Sequence, residues 1–340
     1  MKKMNSLERF YQTLRCQATD RRCALPLVFG FAAHTSGVKL KDYLSDAEAL
    51  AYAQLQAQQE FGYDAVYIYG GNAVEVESIG VPVVFPEGDY PYVDPQYQPE
   101  PLAALLDKLD KLDTDLTGRG RIPQLVKAVS RLRQQVDGQL PVVGVVAGPF
   151  TIAIQILGLE KMLFSLIDEP LQAARFLQQV SLLSQRHALA LIKAGAQVIM
   201  LLDPASSQTI LTPSVFKKFS LPLLKNIFKD CRAAGALACW LAITGKTDDF
   251  LLSYPSAGVD LATLDYEVSM EKAIHLLPQM VIAGNLCPFD FVERQPWELK
   301  EQCLELLELV ATRPGFILST GCEVPLNSKP ENLRAMMDVL

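Results

Sequence analysis

The sequence contains few histidines, no CxxC pair of cysteines and no dense cluster of lysine or arginine. Seven cysteines without a CxxC pair disfavour a disulfide framework and a structural zinc knuckle, so we expect reduced thiols. A formal net charge of -7 argues against a nucleic-acid partner. Of the three histidines, His187 and His275 lie in helix-like segments that favour a packing or surface role, which leaves His34.

Long apolar runs and two common active-site motifs are also missing. No uninterrupted apolar stretch is long enough to span a membrane, and the first ten residues lack the apolar core of a signal peptide. We therefore expect a cytoplasmic protein without a membrane partner. The segment Thr244-Gly245-Lys246-Thr247 ends like a phosphate-binding P-loop, but Trp240 stands where the motif needs its first glycine. A nucleophile-elbow pattern is absent too.

The 340 residues are 50% hydrophobic and 20% charged, as in globular proteins. Eight apolar segments alternate with helical patterns, and most end in glycine or a polar group, which predicts a (β/α)₈ TIM barrel. A doubly wound sheet is the alternative, although it normally brings a glycine-rich first turn. We expect a single domain over 1–340. The predicted strands lie in 26–34, 63–71, 141–149, 195–204, 235–244, 258–265, 280–288 and 315–325.

Two further segments frame this barrel. An N-terminal helix begins near Leu7, and a stretch rich in proline and tyrosine runs over 81–101. A long irregular connection inside a compact domain is usually a lid or a binding loop, so we expect 81–101 to cover the site.

The barrel brings the polar groups that follow each strand to one mouth, where such enzymes carry out their chemistry. Cys322 follows the eighth strand in a Gly-Cys-Glu turn. A capping-box pattern over 328–331 predicts a helix beginning nearby, and its positive end would make Cys322 an acidic thiol. The alternative is that Cys322 is a small buried apolar residue.

Four motifs, in the same order as in the family, resemble the uroporphyrinogen decarboxylase superfamily. They are Gly148-Pro149-Phe150-Thr151, Asp203-Pro204-Ala205-Ser206, Gly284-Asn285 and Gly321-Cys322-Glu323. That superfamily also contains zinc-dependent methylcobamide:coenzyme M methyltransferases. The resemblance covers nearly the whole chain and implies the barrel fold, but it does not by itself fix the reaction.

The decarboxylase branch fits this sequence poorly. The resemblance implies an arginine-rich segment after the first strand, yet 29–34 has no arginine to bind propionates. The expected aspartate falls near 69–71, the expected tyrosine on Gln155 and the expected histidine on Cys322. Tetrapyrrole decarboxylation is therefore disfavoured.

The methyltransferase branch fits better, since it carries a C-terminal cysteine and a segment like Arg119 to Pro123. Its zinc-binding His-x-Cys pair falls here on Ala242 and Thr244, so only Cys322 remains of three expected ligands. Zinc would hold the incoming thiol as a thiolate. Either the metal has moved to a set of Cys322, His34 and Glu77, or the protein binds none.

The resemblance thus implies a methyltransferase that moves a methyl group between a corrinoid, carried on a partner protein, and a small thiol-type acceptor. The alternatives are a uroporphyrinogen decarboxylase with rearranged catalytic residues and a non-catalytic corrinoid- or tetrapyrrole-binding protein. The candidate catalytic residues are Cys322, Glu77 and Asp203, and the candidate substrate-binding residues are His34, Asn72, Gln155, Ser206, Asp265 and Asn285.

Overall fold

Eight parallel strands form one curled sheet in the computed structural model, which describes residues 3–112 and 115–340. Residues 1, 2, 113 and 114 of the expected domain 1–340 lie outside this description. The strands are β1 (Cys23–Ala24), β2 (Val66–Ile68), β3 (Val142–Ala147), β4 (Val198–Leu202), β5 (Ala238–Ala242), β6 (Leu261–Thr263), β7 (Val281–Leu286) and β8 (Phe316–Thr320).

The sheet has the order β1-β8-β7-β6-β5-β4-β3-β2, and every neighbouring pair is parallel. The two ends meet where the backbone N–H of Asp64 donates to the carbonyl of Ala24 at 2.8 Å. The strands are apolar and almost entirely buried because helices cover the outside and side chains fill the inside. The predicted (β/α)₈ barrel is confirmed.

Large aromatic side chains fill the barrel interior. The ring of Tyr67 in β2 lies 6.4 Å from that of Trp240 in β5, although these strands are not neighbours in the sheet. The indole N–H of Trp240 donates to the hydroxyl of Thr263 at 2.8 Å, so this buried donor is satisfied. The interior is therefore packed, and polar chemistry is left to the ends of the strands.

Helices connect the strands around the barrel. The α-helices are Ser6–Leu14, Phe31–Ser36, Leu40–Ser45, Ala47–Phe61, Val74–Ser78, Leu102–Asp110, Ile122–Gln135, Pro149–Leu157, Leu159–Asp168, Pro170–Ala194, Pro213–Val215, Leu221–Ala233, Met270–Leu276, Asp290–Glu293, Pro296–Leu309 and Pro330–Met337. A π-helix spans Phe216–Ser220, and 3₁₀-helices span Pro204–Ser206, Leu251–Ser253 and Pro255–Ala257. Among the described residues no single helix could cross a membrane; Pro149–Leu157 and Leu159–Asp168 meet the length and composition test only as a pair bent by 104°.

Two local predictions were wrong. The segment 26–34 was expected to be the first strand, but β1 ends at Ala24 and His34 lies exposed in the helix Phe31–Ser36. A short apolar run does not distinguish a buried strand from a buried helix. The capping box over 328–331 does not form either, because Lys329 is the N-cap of Pro330–Met337 and provides no side-chain hydrogen bond.

The proline- and tyrosine-rich stretch 81–101 is mostly irregular, as expected. Its only regular structure is an antiparallel pair of two-residue strands, Val83–Val84 and Tyr92–Val93. We call 81–101 the hairpin loop. It follows the helix Val74–Ser78, which itself follows β2, so it begins at the C-terminal end of the strands.

Candidate active site

Cys322 lies at the C-terminal mouth of the barrel, two residues beyond the end of β8. Gly321 before it packs tightly against the chain that follows β6: a Cβ there would lie 2.5 Å from the backbone nitrogen of Tyr266. Only glycine permits this approach. The Cys322 sulfur then lies 3.4 Å from the hydroxyl oxygen of Thr244, which follows β5. Because β6 and β7 separate β5 from β8 in the sheet, this contact reaches across the mouth.

The Cys322 thiol is not acidic, contrary to the sequence-based expectation. Burial raises its pKa, and the nearby charges of Glu323 and Asp265 act in the same direction. The hydrogen bonds from Thr244 and from the backbone of Glu323 oppose this shift without reversing it. A partly buried thiol next to carboxylates favours its neutral form.

Glu323 links the mouth to the hairpin loop. Its Oε1 accepts a hydrogen bond from the hydroxyl of Tyr90 and another from the backbone N–H of Gly30 at 3.2 Å. Burial raises the pKa of Glu323 to about 8, although both hydrogen bonds favour the carboxylate. The rings of Tyr69 and Tyr90 lie 5.4 Å apart, so Tyr69, just beyond β2, packs beneath the same contact.

Asp265 and Asn285 form a second polar group at the mouth. The Asn285 amide nitrogen donates to the carbonyls of Asp265 at 3.2 Å and Val268 at 2.9 Å, which fixes the chain after β6. Asp265 accepts the backbone N–H of Glu267 on Oδ1, whereas its buried Oδ2 has no hydrogen-bond partner among the described residues. Burial raises the pKa of Asp265, so it is suited to take up a proton.

Asp203 and Ser206 directly follow β4 at its C-terminal end. Both are fully buried. Asp203 accepts hydrogen bonds from the Thr151 backbone at 2.8 Å and hydroxyl at 2.7 Å, and from the Ser206 hydroxyl at 2.7 Å. A Cβ on Gly148 would come within 2.2 Å of the Asp203 Cβ. Asp203 therefore fastens the turn after β4 to the helix that follows β3.

Glu77 is held by an arginine. Its carboxylate lies 2.7 Å from Nε of Arg121. Nη1 of Arg121 also donates to the Gly70 carbonyl at 2.5 Å, and the guanidinium carbon lies 5.0 Å from the ring centre of Phe85 in the hairpin loop. The carbonyl oxygens of Asn72 and Gln155 are buried without hydrogen-bond partners in the part of the chain that is described. These two side chains retain the capacity to bind a substrate.

The whole chain, apart from its first residues, fits one family. The family model described as uroporphyrinogen decarboxylase (URO-D) matches residues 5–340. The chain belongs to the uroporphyrinogen decarboxylase family. This confirms the family expected from the four sequence motifs.

Relatives of this family member carry two kinds of name. It is 26% identical to methylcobamide:CoM methyltransferase MtbA of Methanosarcina mazei, over 97% of this chain and 96% of that protein. It is also 26% identical to a uroporphyrinogen decarboxylase of Geobacter sp. strain M21, over 82% of this chain and 79% of that protein. The solved structure of a methyltransferase from Methanosarcina mazei has a TM-score of 0.88 at 22% identity and covers 99% of this chain and 98% of that one. This likeness supports the fold.

The zinc site implied by the resemblance does not fit this URO-D family member. No group of three or more His, Cys, Asp or Glu side chains within 3–112 and 115–340 is arranged to hold a metal ion. The expected set of Cys322, His34 and Glu77 is not assembled: His34 is exposed in a helix and Glu77 is paired with Arg121. Ala242 offers no donor atom, and a threonine hydroxyl is not among the usual zinc ligands.

Three residues of the mouth were missed as site residues by sequence reasoning. Glu323 could have been found, since it follows Cys322 directly in the Gly-Cys-Glu turn. Tyr90 is one of several tyrosines in the hairpin loop, and nothing local distinguishes it. The sequence around Thr244 resembles only the end of a P-loop, and the position matches an expected zinc ligand that threonine cannot replace; the contact of Thr244 with Cys322 arises from the fold.

Proposed function

We propose that this protein is a corrinoid-dependent methyltransferase that passes a methyl group between a methylcobamide and a small thiol acceptor. Support comes from the similarity to MtbA over nearly the full length of both chains, together with a thiol at the barrel mouth. A relative named methylated-thiol--coenzyme M methyltransferase, also from Methanosarcina mazei, is 24% identical over 85% of this chain. The methyl donor would be carried on a partner protein.

The observation that carries the proposal is the set of groups gathered around Cys322. Transfer of a methyl group from the methylcobamide substrate to a thiol would break the cobalt–carbon bond, whose electron pair stays with the cobalt, form a carbon–sulfur bond and release the thiol proton. Asp265 offers a carboxylate oxygen without a partner and a raised pKa, so it can take up that proton. Asn72, which follows β2, and Gln155, in the helix after β3, have buried side-chain carbonyl oxygens without partners among the described residues and would orient the acceptor. Glu77 and Asp203, which hold neighbouring elements in place, act as positioning residues.

The decarboxylase alternative keeps support from relatives of that name. Its substrate carries many carboxylates, which need arginine or lysine partners. The groups around Cys322 are Thr244, Asp265, Glu323, Tyr69 and Tyr90, which carry no positive charge. One cation near the mouth, Arg121, is already paired with Glu77. Another, Lys246, is exposed two residues beyond Thr244 and does not contact Cys322. The uncharged and acidic groups next to Cys322 therefore favour the methyltransferase.

One assay separates the proposals. Purified protein is incubated with methylcobalamin and a panel of small thiols, and loss of the methyl group is followed in the cobalamin absorption spectrum. We expect demethylation to be lost in Cys322→Ala and retained in Cys16→Ala, whose cysteine precedes β1 at the opposite end of the barrel. Binding of methylcobalamin without turnover would favour the non-catalytic protein. Coproporphyrinogen formation from uroporphyrinogen, with no demethylation, would favour the decarboxylase.

A further inference from the structure

The contact between Thr244 and Cys322 joins two loops that are far apart in the sheet. Thr244 lies two residues beyond the end of β5, and Cys322 lies two residues beyond the end of β8. Their Oγ1 and Sγ atoms are 3.4 Å apart. The hydroxyl is thus directed at the sulfur from the far side of the mouth, although two strands intervene in the sheet.

The donor atoms around this contact are too few for a zinc ion. Structural zinc takes four protein ligands and catalytic zinc takes three, drawn from Cys, His, Asp and Glu. Ala242, on the same side of the mouth as Thr244, is 3% exposed and has no donor. Cys322 and Asp265 remain, because the neighbouring Glu323 carboxylate is already hydrogen-bonded to Tyr90 and to the backbone of Gly30. The described residues contain no metal-binding group of three.

We propose that this mouth carries no resident zinc ion and that Thr244 orients the Cys322 sulfur in its place. Threonine suits this role because its branched Cβ restricts χ1, so the hydroxyl keeps a fixed direction. A hydroxyl at this distance hydrogen-bonds a sulfur as donor or acceptor, which fixes the thiol without supplying a metal's charge. The inference concerns the resting site and stands whether or not the protein transfers methyl groups.

Metal analysis tests the proposal that the mouth carries no resident zinc ion. Wild-type protein and Cys322→Ala, both purified without chelator and then dialysed against zinc and against zinc-free buffer, are compared by elemental analysis. We expect the same near-zero zinc in both. About one zinc ion per wild-type chain that is lost in Cys322→Ala would overturn the proposal.

Introducing zinc-binding side chains at positions 242 and 244 tests whether position 244 faces Cys322. Ala242→His combined with Thr244→Cys adds two zinc-binding side chains to Cys322 and Asp265, so we expect this double variant to gain about one zinc ion per chain. Ala242→His alone adds only one such side chain and is the matched control, which we expect to retain less zinc after the same dialysis. A folded double variant that gains no zinc would show that Thr244 does not face Cys322 as inferred. Far-ultraviolet circular dichroism establishes that each variant is folded.

The orienting role of Thr244 has its own readout. The rate at which iodoacetamide labels Cys322 is measured by peptide mass spectrometry, which separates this cysteine from the other six. We expect Thr244→Val to change the labelling rate roughly fivefold, as loss of one ordinary hydrogen bond would, and Thr244→Ser to restore it. Equal rates in wild type, Thr244→Val and Thr244→Ser would refute the role, whatever the metal analysis gives.

Discussion

The hydroxyl of Tyr90, in the middle of the hairpin loop, donates a hydrogen bond to Oε1 of Glu323, the residue after Cys322. The backbone N–H of Gly30 donates to the same two side chains, at 2.7 Å to the Tyr90 oxygen and 3.2 Å to the Glu323 oxygen. The loop is therefore attached to the mouth at the residue next to the thiol. Opening of the loop and access to Cys322 should be linked through this one contact.

Tyr90→Phe should loosen the hairpin loop while leaving the barrel intact. The substitution removes only the hydroxyl, and one hydrogen bond to a carboxyl group is worth about 1–2 kcal/mol, so we expect cleavage within 81–101 to be roughly tenfold faster. Limited proteolysis with mass spectrometry locates the cuts. Tyr92→Phe is the control, because Tyr92 lies in the same loop and is exposed. Equal cleavage of the two variants would show that the contact does not hold the loop.

Gly30→Ala should disturb the same contact from the opposite side. A Cβ at position 30 would lie 2.5 Å from the Tyr90 hydroxyl and 2.6 Å from Leu326 Cδ2, so one of them must move. Overpacking of this kind costs about 1–3 kcal/mol, which chemical denaturation measures. Gly118→Ala is the control, since a Cβ there meets nothing within 4 Å. A Gly30→Ala protein as stable as this control would argue against the close packing.

Glu323 should make stability fall as pH rises. Its pKa is raised from the usual 4.5 to about 8 in the folded protein, so between these values the folded state binds more protons than the unfolded state. The free energy of unfolding then decreases with pH across about 5 to 8, by at most about 1.4 kcal/mol per pH unit. Glu323→Gln stays neutral and should lose this slope.

Urea denaturation of wild type and Glu323→Gln at several pH values in this range measures the difference between the two slopes. Comparing the two proteins cancels the titration of all other groups. If the free energy of unfolding depends on pH in the same way in both proteins, the carboxyl group of Glu323 is ionised in the folded state at neutral pH. Burial would then not be the dominant influence on its pKa.

Asp203→Asn should damage stability more than catalysis. The carboxylate accepts from the backbone and hydroxyl of Thr151 and from Ser206, so an amide NH₂ in its place would face a donor in the buried interior. We expect a loss of about 2–4 kcal/mol by chemical denaturation, with methyl-transfer turnover per folded molecule changed less than tenfold. Asp168→Asn, at an exposed position, is the control. A stable but inactive Asp203→Asn protein would instead support a direct catalytic role.

Local pattern was sufficient to locate most of the barrel and the residue at its mouth. The strands β3, β4, β5, β7 and β8 are buried on both faces. Strands covered on both faces need apolar side chains at nearly every position, so they are visible in the sequence as continuous apolar runs. Cys322 was correctly placed just after β8, because a glycine ends the apolar run. His34 was misplaced because the run before it is equally apolar whether it forms a strand or a buried turn and helix.

The amino-acid sequence by itself determined the alternation of strands and helices, and with it the end of the barrel at which polar groups collect. Only the tertiary structure decided which of those groups meet: Thr244 with Cys322 across the mouth, Tyr90 with Glu323, and Asp203 with Thr151 in the interior. It also reversed the expected acidity of the Cys322 thiol. Strand patterns follow from neighbours along the chain, whereas hydrogen-bond partners and pKa values depend on burial and on charges brought together by distant segments.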